Sequence, residues 1–267
     1  MLVQLAQRFA RMSPAIHRIG GGAALRGLET YAAFFAGKGS GSGWDLQNQT
    51  KAAASLIARK PAVIFDVGAN DGRWSVELES VLQNAENQYF LFEPAEYCFP
   101  GLDKRRKVLP NAKVFKVAVS DKDGQGTLYQ PPVGSGLASL HERRDISVVQ
   151  HKYKKLEVET RSLDSIVRQC SVESIDFLKM DVEGHELSVL QGANDLLSRR
   201  AIKVVMFEFG SANVNSRTFF RDFWDLLSAH GFRVSRILPG GGKTTIERYA
   251  EDLEYFRGAT NYAACLN

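Results

Sequence analysis

The stretch Ala62–Gly72 reads A-V-I-F-D-V-G-A-N-D-G, and it narrows the choice of fold more than any other part of the chain. Val63, Ile64, Phe65 and Val67 are apolar, β-branched or aromatic, and Asp66 is the one interruption. Such a run suits a strand buried on both faces, as in a parallel sheet. Gly68 and Gly72 break it, and Asn70 or Asp71 is placed to cap a helix over Arg73–Leu82. Strand, glycine loop and helix open a nucleotide-binding α/β unit, in which Gly68, lacking a Cβ, admits a ligand close to the backbone.

The loop is not the dinucleotide fingerprint G-x-G-x-x-G: it is G-x-x-x-G, with an acid just before it. The missing glycine pattern argues against dinucleotide oxidoreduction. A carboxylate at Asp66 repels a pyrophosphate and suits a cation such as the ammonium of an amino acid. The next apolar run, Tyr89–Phe92, ends in Glu93, and an acid at the tip of the second strand is where a ribose diol is held. A ligand with a ribose, a cationic amino acid and no phosphate is S-adenosylmethionine. The plainer alternative has Asp66 capping its own loop and Glu93 facing solvent. Two acids ending consecutive strands favour the ligand, and Asp66, Gly68, Asn70, Gly72, Glu93 and Pro94 become candidate cofactor-binding residues.

Together with Ala118-Val-Ser-Asp121, Lys179-Met-Asp-Val-Glu-Gly-His-Glu186 and Phe207-Glu-Phe209, these residues resemble the FkbM-type methyltransferases in order and approximate spacing, over roughly Val63 to Leu266. The first motif marks only the broad S-adenosylmethionine-dependent fold; K-x-D-V-E-G-x-E is far more specific. The resemblance implies an α/β fold, a Rossmann-like class I methyltransferase sheet of about seven strands, mostly parallel with helices on both faces and an antiparallel final strand. It implies methyl transfer to hydroxyls of sugars, polyketides and related natural products, hence a small-molecule or glycan acceptor. The N-P-P-Y-like motif of amino-group methyltransferases is replaced by D-V-E-G, which argues against a nucleic-acid base as acceptor.

The 267 residues suit one α/β domain, expected over 61–267, with a helical extension over 1–60. The formal charge is +4, and basic runs such as Lys104–Lys107 and His151–Lys155 read as solvated faces rather than a nucleic-acid surface. An RNA-directed methyltransferase is therefore the minor alternative, beside a non-catalytic binding protein that retains the fold. Cys98, Cys170 and Cys265 are odd in number, lie far apart and form no C-x-x-C, which points to a reducing, cytoplasmic setting. No run has the apolar length of a membrane span and no secretory signal is evident. Leu2, Leu5, Phe9 and Met12 fall at helical spacing, and the first acid is Glu29. This reads as an extension packed on the domain, with peripheral contact of residues 1–36 to an anionic membrane as the lesser expectation. Gly37–Gly43, G-K-G-S-G-S-G, reads as a flexible linker.

Along the rest of the chain the pattern predicts a helix over Gln47–Arg59, ended by Pro61, and another over Glu96–Val108. A third strand over Ala112–Val119 ends at Ser120-Asp121, where Val119, Ser120 and Asp121 are candidates for the adenine. Pro131–Leu140 is a Gly/Pro-rich loop, a candidate substrate lid, and the family's G-x-x-S-L element is matched there by Gly136, Ser139 and Leu140. Strands follow over Ile175–Met180, Lys203–Phe209, Phe232–Leu238, Thr245–Tyr249 and Asn261–Leu266, with a helix from Glu183–Glu186 to about Leu197 and another over Thr218–Ala229.

Ligands in open α/β sheets bind beyond the carboxyl ends of the strands, and Asp66, Glu93, Asp121, Asp181 and Glu208 all fall at such ends. A hydroxyl acceptor needs a base, for which Asp181, His185 and Glu208 are the candidates, with Asp181 also beside the cofactor. Lys179 shares a strand face with Asp181 and would pair with it or orient substrate. Asp181 and Glu183 form a weaker alternative, an oxygen-rich magnesium site. Asp181 and Glu183 need not point the same way, with Gly184 bending the chain within the cluster that His185 and Glu186 complete, so magnesium is not favoured. His141 and His151 would act as base only on closure of the loop; His17 and His230, like Trp44 and Trp74, read as structural.

Overall fold

The structure, a computed structural model, describes residues 13–14, 21–39, 46–109, 111–131, 136–144 and 153–267. Strand β1 (Val63–Val67) has its predicted bounds and is buried from Ile64 onward. It lies between β2 (Gln88–Phe92) and β7 (Phe177–Met180), both parallel to it. A strand walled on both edges and both faces has no use for alternation, which is why it reads as a continuous apolar run. Beyond β2 lies β3 (Ala112–Phe115), and beyond β7 lies β8 (Val204–Gly210), both again parallel. β11 (Ala259–Leu266) runs antiparallel between β8 and β9 (Phe232–Ile237), as the family resemblance implies.

A short β10 (Lys243–Thr245) pairs with β9, so the sheet has eight strands among the described residues, in the order β10-β9-β11-β8-β7-β1-β2-β3. The small strand expected at Thr245–Tyr249 is thus earlier in the chain. Apolar clusters cover both faces: Phe65, Phe92, Phe207 and Phe223 on one, Ile64, Leu91, Trp74 and Phe177 on the other. Trp74 stacks on Phe177 with ring centroids 5.9 Å apart, in the core as expected.

Two local expectations fail for tertiary reasons. The predicted third strand splits: β3 stays in the main sheet, while β4 (Ala118–Val119) pairs with β6 (Lys154–Arg161), which pairs in turn with β5 (Gly124–Gln130) in a separate three-stranded sheet. The helix after β7 is two short helices, α6 (Glu186–Gln191) and α7 (Asn194–Ser198). They meet at Gly192, where a Cβ would stand 2.1 Å from the Ser120 carbonyl oxygen. The helix following β1, α3 (Arg73–Leu82), is entered through Gly72 in the left-handed region, and Asp71 Oδ1, from one of the two expected capping residues, accepts the first helical N–H, that of Arg73, at 3.3 Å. Asp71 also pairs with the side chains of Arg73 and Arg105, the latter from α4 (Phe99–Arg105).

At the amino-terminal side, α1 (Gly22–Phe35) buries no residue and leaves Leu28, Tyr31 and Phe35 exposed. It is tied at its carboxyl end, where Arg236 donates to the Ala36 carbonyl, and midway along, where Glu29 pairs with Arg257. α2 (Leu46–Leu56) packs on the body through Ala52 and Ala53. Gly37 and Gly39, expected in a flexible linker, are buried, and Gly39 N–H donates to Thr260 Oγ1 at 2.8 Å; residues 40–43 lie outside the described residues. So do Leu2, Leu5, Phe9, Met12, His17, Trp44 and His151.

α5 (Leu163–Cys170), α8 (Ser211–Ser216) and α9 (Phe220–Ala229) complete the helices of the main body. Gly192 and Gly27 sit in opposite surroundings, the first against a backbone carbonyl and the second in open space. Gly192→Ala forces a methyl group into a backbone carbonyl and is expected to destabilise by about 1–3 kcal/mol. Gly27→Ala, with nothing within 4 Å in α1, is expected to leave stability equal or raise it by up to about 1 kcal/mol. Urea unfolding of both variants checks the contrast.

Candidate active site

The tips of β1, β2 and β7 are joined by backbone hydrogen bonds. Gly68 N–H and Ala69 N–H both donate to the Phe92 carbonyl at 3.0 Å, and Asp181 N–H donates to the Val67 carbonyl at 3.0 Å. Gly68 has φ +76°, and a Cβ there would lie 1.9 Å from the Asp181 carbonyl oxygen. Only glycine fits, by conformation and by space.

Beyond these tips opens a cavity of about 680 Å³ counting its mouth, lined by Gly68, Asn70, Glu93, Pro94, Val119 and Asp181 among others. Glu93 is 6% exposed. Its Oε2 accepts Asn70 N–H at 2.8 Å and its Oε1 accepts Ala95 N–H at 2.9 Å. Burial outweighs these donors and pushes its carboxyl up to about 7. Phe92, Val117, Val119, Leu128 and Leu140 supply an apolar wall.

Not every expected residue reaches this cavity. Asp66 is fully buried beneath it. Its Oδ1 accepts from Lys179 Nζ at 3.0 Å and its Oδ2 from Ser75 Oγ at 2.7 Å, so it holds Lys179 where direct contact with a ligand was expected. Gly72 packs against Leu102 and Arg105, away from the cavity. Ser120 turns its hydroxyl to Asp121 and to His185 Nε2, at 3.0 and 2.9 Å, and Asp121 is exposed; neither lines the cavity. These two sit at the tip of β4, in the small sheet, which carries them off the line of strand ends that the sequence suggested.

Lys179 is the link among the acids. The residue is 7% exposed; its ammonium is 3.5 Å from Asp181 Oδ2 as well as bonded to Asp66, and lies 5.5 Å from the centre of the Trp74 ring. The two carboxylates hold its pKa above the usual lysine value despite burial. Asp181 keeps 38% of its side chain exposed and lines this cavity, its neighbour beside β8, and a shallower one beside Trp74.

His185 is engaged at both ring nitrogens, Nε2 with Ser120 and Nδ1 with His141 Nε2 at 3.1 Å. Burial and the neighbouring His141 push it down to about 4. It is a neutral imidazole without a free lone pair, which is poor equipment for the base expected there. His141 directly follows the Gly/Pro-rich loop, of which Gly136, Ala138, Ser139 and Leu140 line the cavity and Ser139 Oγ donates to the Glu183 carbonyl at 2.8 Å. Glu183 is ion-paired with buried Arg143, and among the described residues no group of three or more His, Cys, Asp and Glu side chains is placed to hold a metal ion. Glu208 is partly buried and faces the neighbouring cavity; burial and the surrounding carboxylates raise its pKa well above the usual value.

Sequence reasoning missed Tyr97, Cys98, Arg143 and the His141–His185 pair. Tyr97, Cys98, Arg143 and His141 sit in no motif and reach the site only through the return of a loop or the packing of a short helix; His185 stands within Lys179–Glu186, but its partner does not.

The matching family is the methyltransferase FkbM domain, whose model covers residues 66–234. The chain belongs to this family. It is 29% identical over 156 residues to the 2-O-methyltransferase NoeI of Sinorhizobium fredii, covering 54% of this chain and 63% of that protein. It is 26% identical over 167 residues to the methyltransferase sdnD of Sordaria araneosa, covering 52% of this chain and 64% of that one. It thus spans a little under two thirds of either relative. Among solved structures, the methyltransferase FkbM of Methylobacillus flagellatus aligns over 79% of this chain and 47% of its own, with TM-score 0.48 and 15% identity.

Two outcomes follow. Asp66→Asn leaves the buried ammonium of Lys179 short of its nearest counter-charge and is expected to destabilise by about 3 kcal/mol in urea unfolding. Burial also holds Glu183 at about 8 and Glu186 at about 7. With Glu93 they carry more protons folded than unfolded, so their stabilising contribution is full below the ordinary carboxylate range and is lost as pH rises through 7 and 8. His141 and His185, depressed by burial, act oppositely only below the ordinary histidine range. The thermal midpoint of the ligand-free protein should therefore fall from about pH 6.5 to about pH 8. A midpoint that rises over that interval contradicts the burial assigned to these groups.

Proposed function

We propose that the chain is an S-adenosylmethionine-dependent methyltransferase that methylates a hydroxyl oxygen of a small molecule or a glycan. The observation that carries this reading is Glu93. Each of its oxygens accepts one backbone N–H and keeps a further lone pair for a ribose hydroxyl. The glycine surface at Gly68 and the apolar wall around Val119 suit a nucleoside laid across the strand tips. Family membership and the 2-O-methyltransferase relative support oxygen as the accepting atom.

When bound, S-adenosylmethionine would supply a methyl group on a sulfonium, released as a neutral thioether when the new O–C bond forms. The hydroxyl proton has to go elsewhere, and we assign it to Asp181. Asp181 lines both the cofactor cavity and its neighbour, and it is more exposed than Lys179. Lys179 is a positioning residue that holds Asp181 toward the strand tip. His185, with both nitrogens committed, ties the β4 tip to the loop bearing His141. The described part of that loop covers the cavity, consistent with a lid that excludes water.

Calorimetric titration with S-adenosylhomocysteine tests the reading. Wild type should bind in the micromolar range with or without chelator, and Glu93→Ala should weaken binding by about tenfold or more. Asp181→Asn should retain binding and folding while transfer to screened sugar alcohols drops by about a hundredfold. A folded protein that binds no S-adenosylhomocysteine would leave a non-catalytic member of the family.

A further inference from the structure

A second cavity, about 880 Å³ counting its mouth, adjoins the first and shares Gly136, Asp181 and Glu183 with it. It lies over the tip of β8 and the start of β11. Its ionisable lining is Asp181, Glu183, Glu186 and Glu208 against a single guanidinium, Arg143, which is committed to Glu183. An acidic lining alone would mean little, because carboxylates gather at strand ends for many reasons. Glu186 is the independent sign. It is 1% exposed, and its Oε1 accepts the Val182 and Gly184 N–H groups at 3.0 and 3.2 Å. Its Oε2 is buried with no hydrogen-bond partner.

A buried carboxyl oxygen without a partner is costly, and the four carboxyl groups meet only Arg143, committed to Glu183, and Lys179, shared between Asp181 and Asp66, which leaves the cavity short of positive charge. Hydroxyl groups alone would leave the ionisation of Glu183, Glu186 and Glu208 opposed by burial and by one another. An ammonium group supplies donors and charge together.

We propose that this second cavity holds the acceptor, and that the acceptor carries a protonated amine beside the hydroxyl to be methylated, as an amino sugar does. The assignment of the acceptor rests on the reading of the first cavity as the cofactor site. Asp181, common to both cavities, then stands between donor and acceptor. Glu186 and Glu208 act as specificity residues that recognise the ammonium, and they take no part in the proton transfer.

The test is saturation-transfer NMR at neutral pH with S-adenosylhomocysteine present, on D-glucosamine, D-galactosamine and D-mannosamine beside their N-acetyl derivatives and parent sugars. The amino sugars should bind about tenfold or more tighter than their uncharged counterparts. Glu186→Gln and Glu208→Gln should each remove most of that preference. Glutamine keeps an acceptor for the Val182 and Gly184 N–H groups, so the Glu186 variant retains its fold, and Glu208→Gln gives a second reading away from that turn. Equal or tighter binding of the uncharged sugars, no binding by any of them, or an amino-sugar preference that survives both substitutions overturns the proposal. S-adenosylhomocysteine affinity, measured on the same samples, should not move in either variant. Its absence in wild type alongside intact amino-sugar binding would defeat the cofactor reading and leave the ammonium site standing.

Discussion

The Lys179 ammonium is the constraint on which the site depends. Buried under the strand tips, it is tolerable only because Asp66 and Asp181 neutralise it from two sides, at 3.0 and 3.5 Å. Removing Asp66 leaves the ammonium only its longer contact to the half-exposed Asp181, in a low-dielectric place where a poorly paired charge costs far more than at the surface. The pairing fixes the register of function across β1 and β7, because Asp66 and Lys179 are direct neighbours in that parallel pair. It also leaves Asp181, one residue past β7, held from below and open above. Gly68 completes the arrangement by letting the β1 loop close on the Asp181 carbonyl, with no room for even a methyl group.

From this base the site divides. On one side Glu93 and the apolar wall around Val119 make a cavity suited to a nucleoside; on the other, Glu186 and Glu208 make an acidic one. The two meet at Asp181 and Glu183. The segment from Gly136 to Arg144 crosses the junction and is pinned by Ser139 to the Glu183 carbonyl, by Arg143 to its carboxylate and by His141 to His185. A loop held by three separate contacts to one turn is tied to the element that carries the chemistry. Its docking and the shape of both cavities are therefore linked.

Much of this was legible in the chain. The run Val63–Val67 specified a central strand because a strand buried on both faces needs uninterrupted apolar residues, and Glu93 and Asp181 stood at strand ends as read. What failed did so where a short pattern has two tertiary solutions. Ala112–Val119 looks like one strand, yet Lys116 and Val117 turn it from the main sheet into the small one. The residues after it, Ser120 and Asp121, are displaced with it. Glu183–Leu197 looks like one helix, but the Ser120 carbonyl approaches at Gly192 and the helix divides. Asp66 reads as a ligand contact because an acid at a strand end usually has only solvent or ligand to face. Here a lysine from the neighbouring strand claims it, and Lys179 lies 113 positions away in the sequence.

The sequence by itself determined the family, the parallel core and the strand tips at which a site would form, because periodicity and glycine placement are local properties that the backbone must obey. Only the tertiary structure decided which acids face a ligand and which face a lysine, that His141 reaches His185, and that Glu186 is buried with one oxygen unsatisfied. Those outcomes depend on distances between segments far apart in the chain. The energy of a buried charge is set by what surrounds it, and that is settled only when the segments pack.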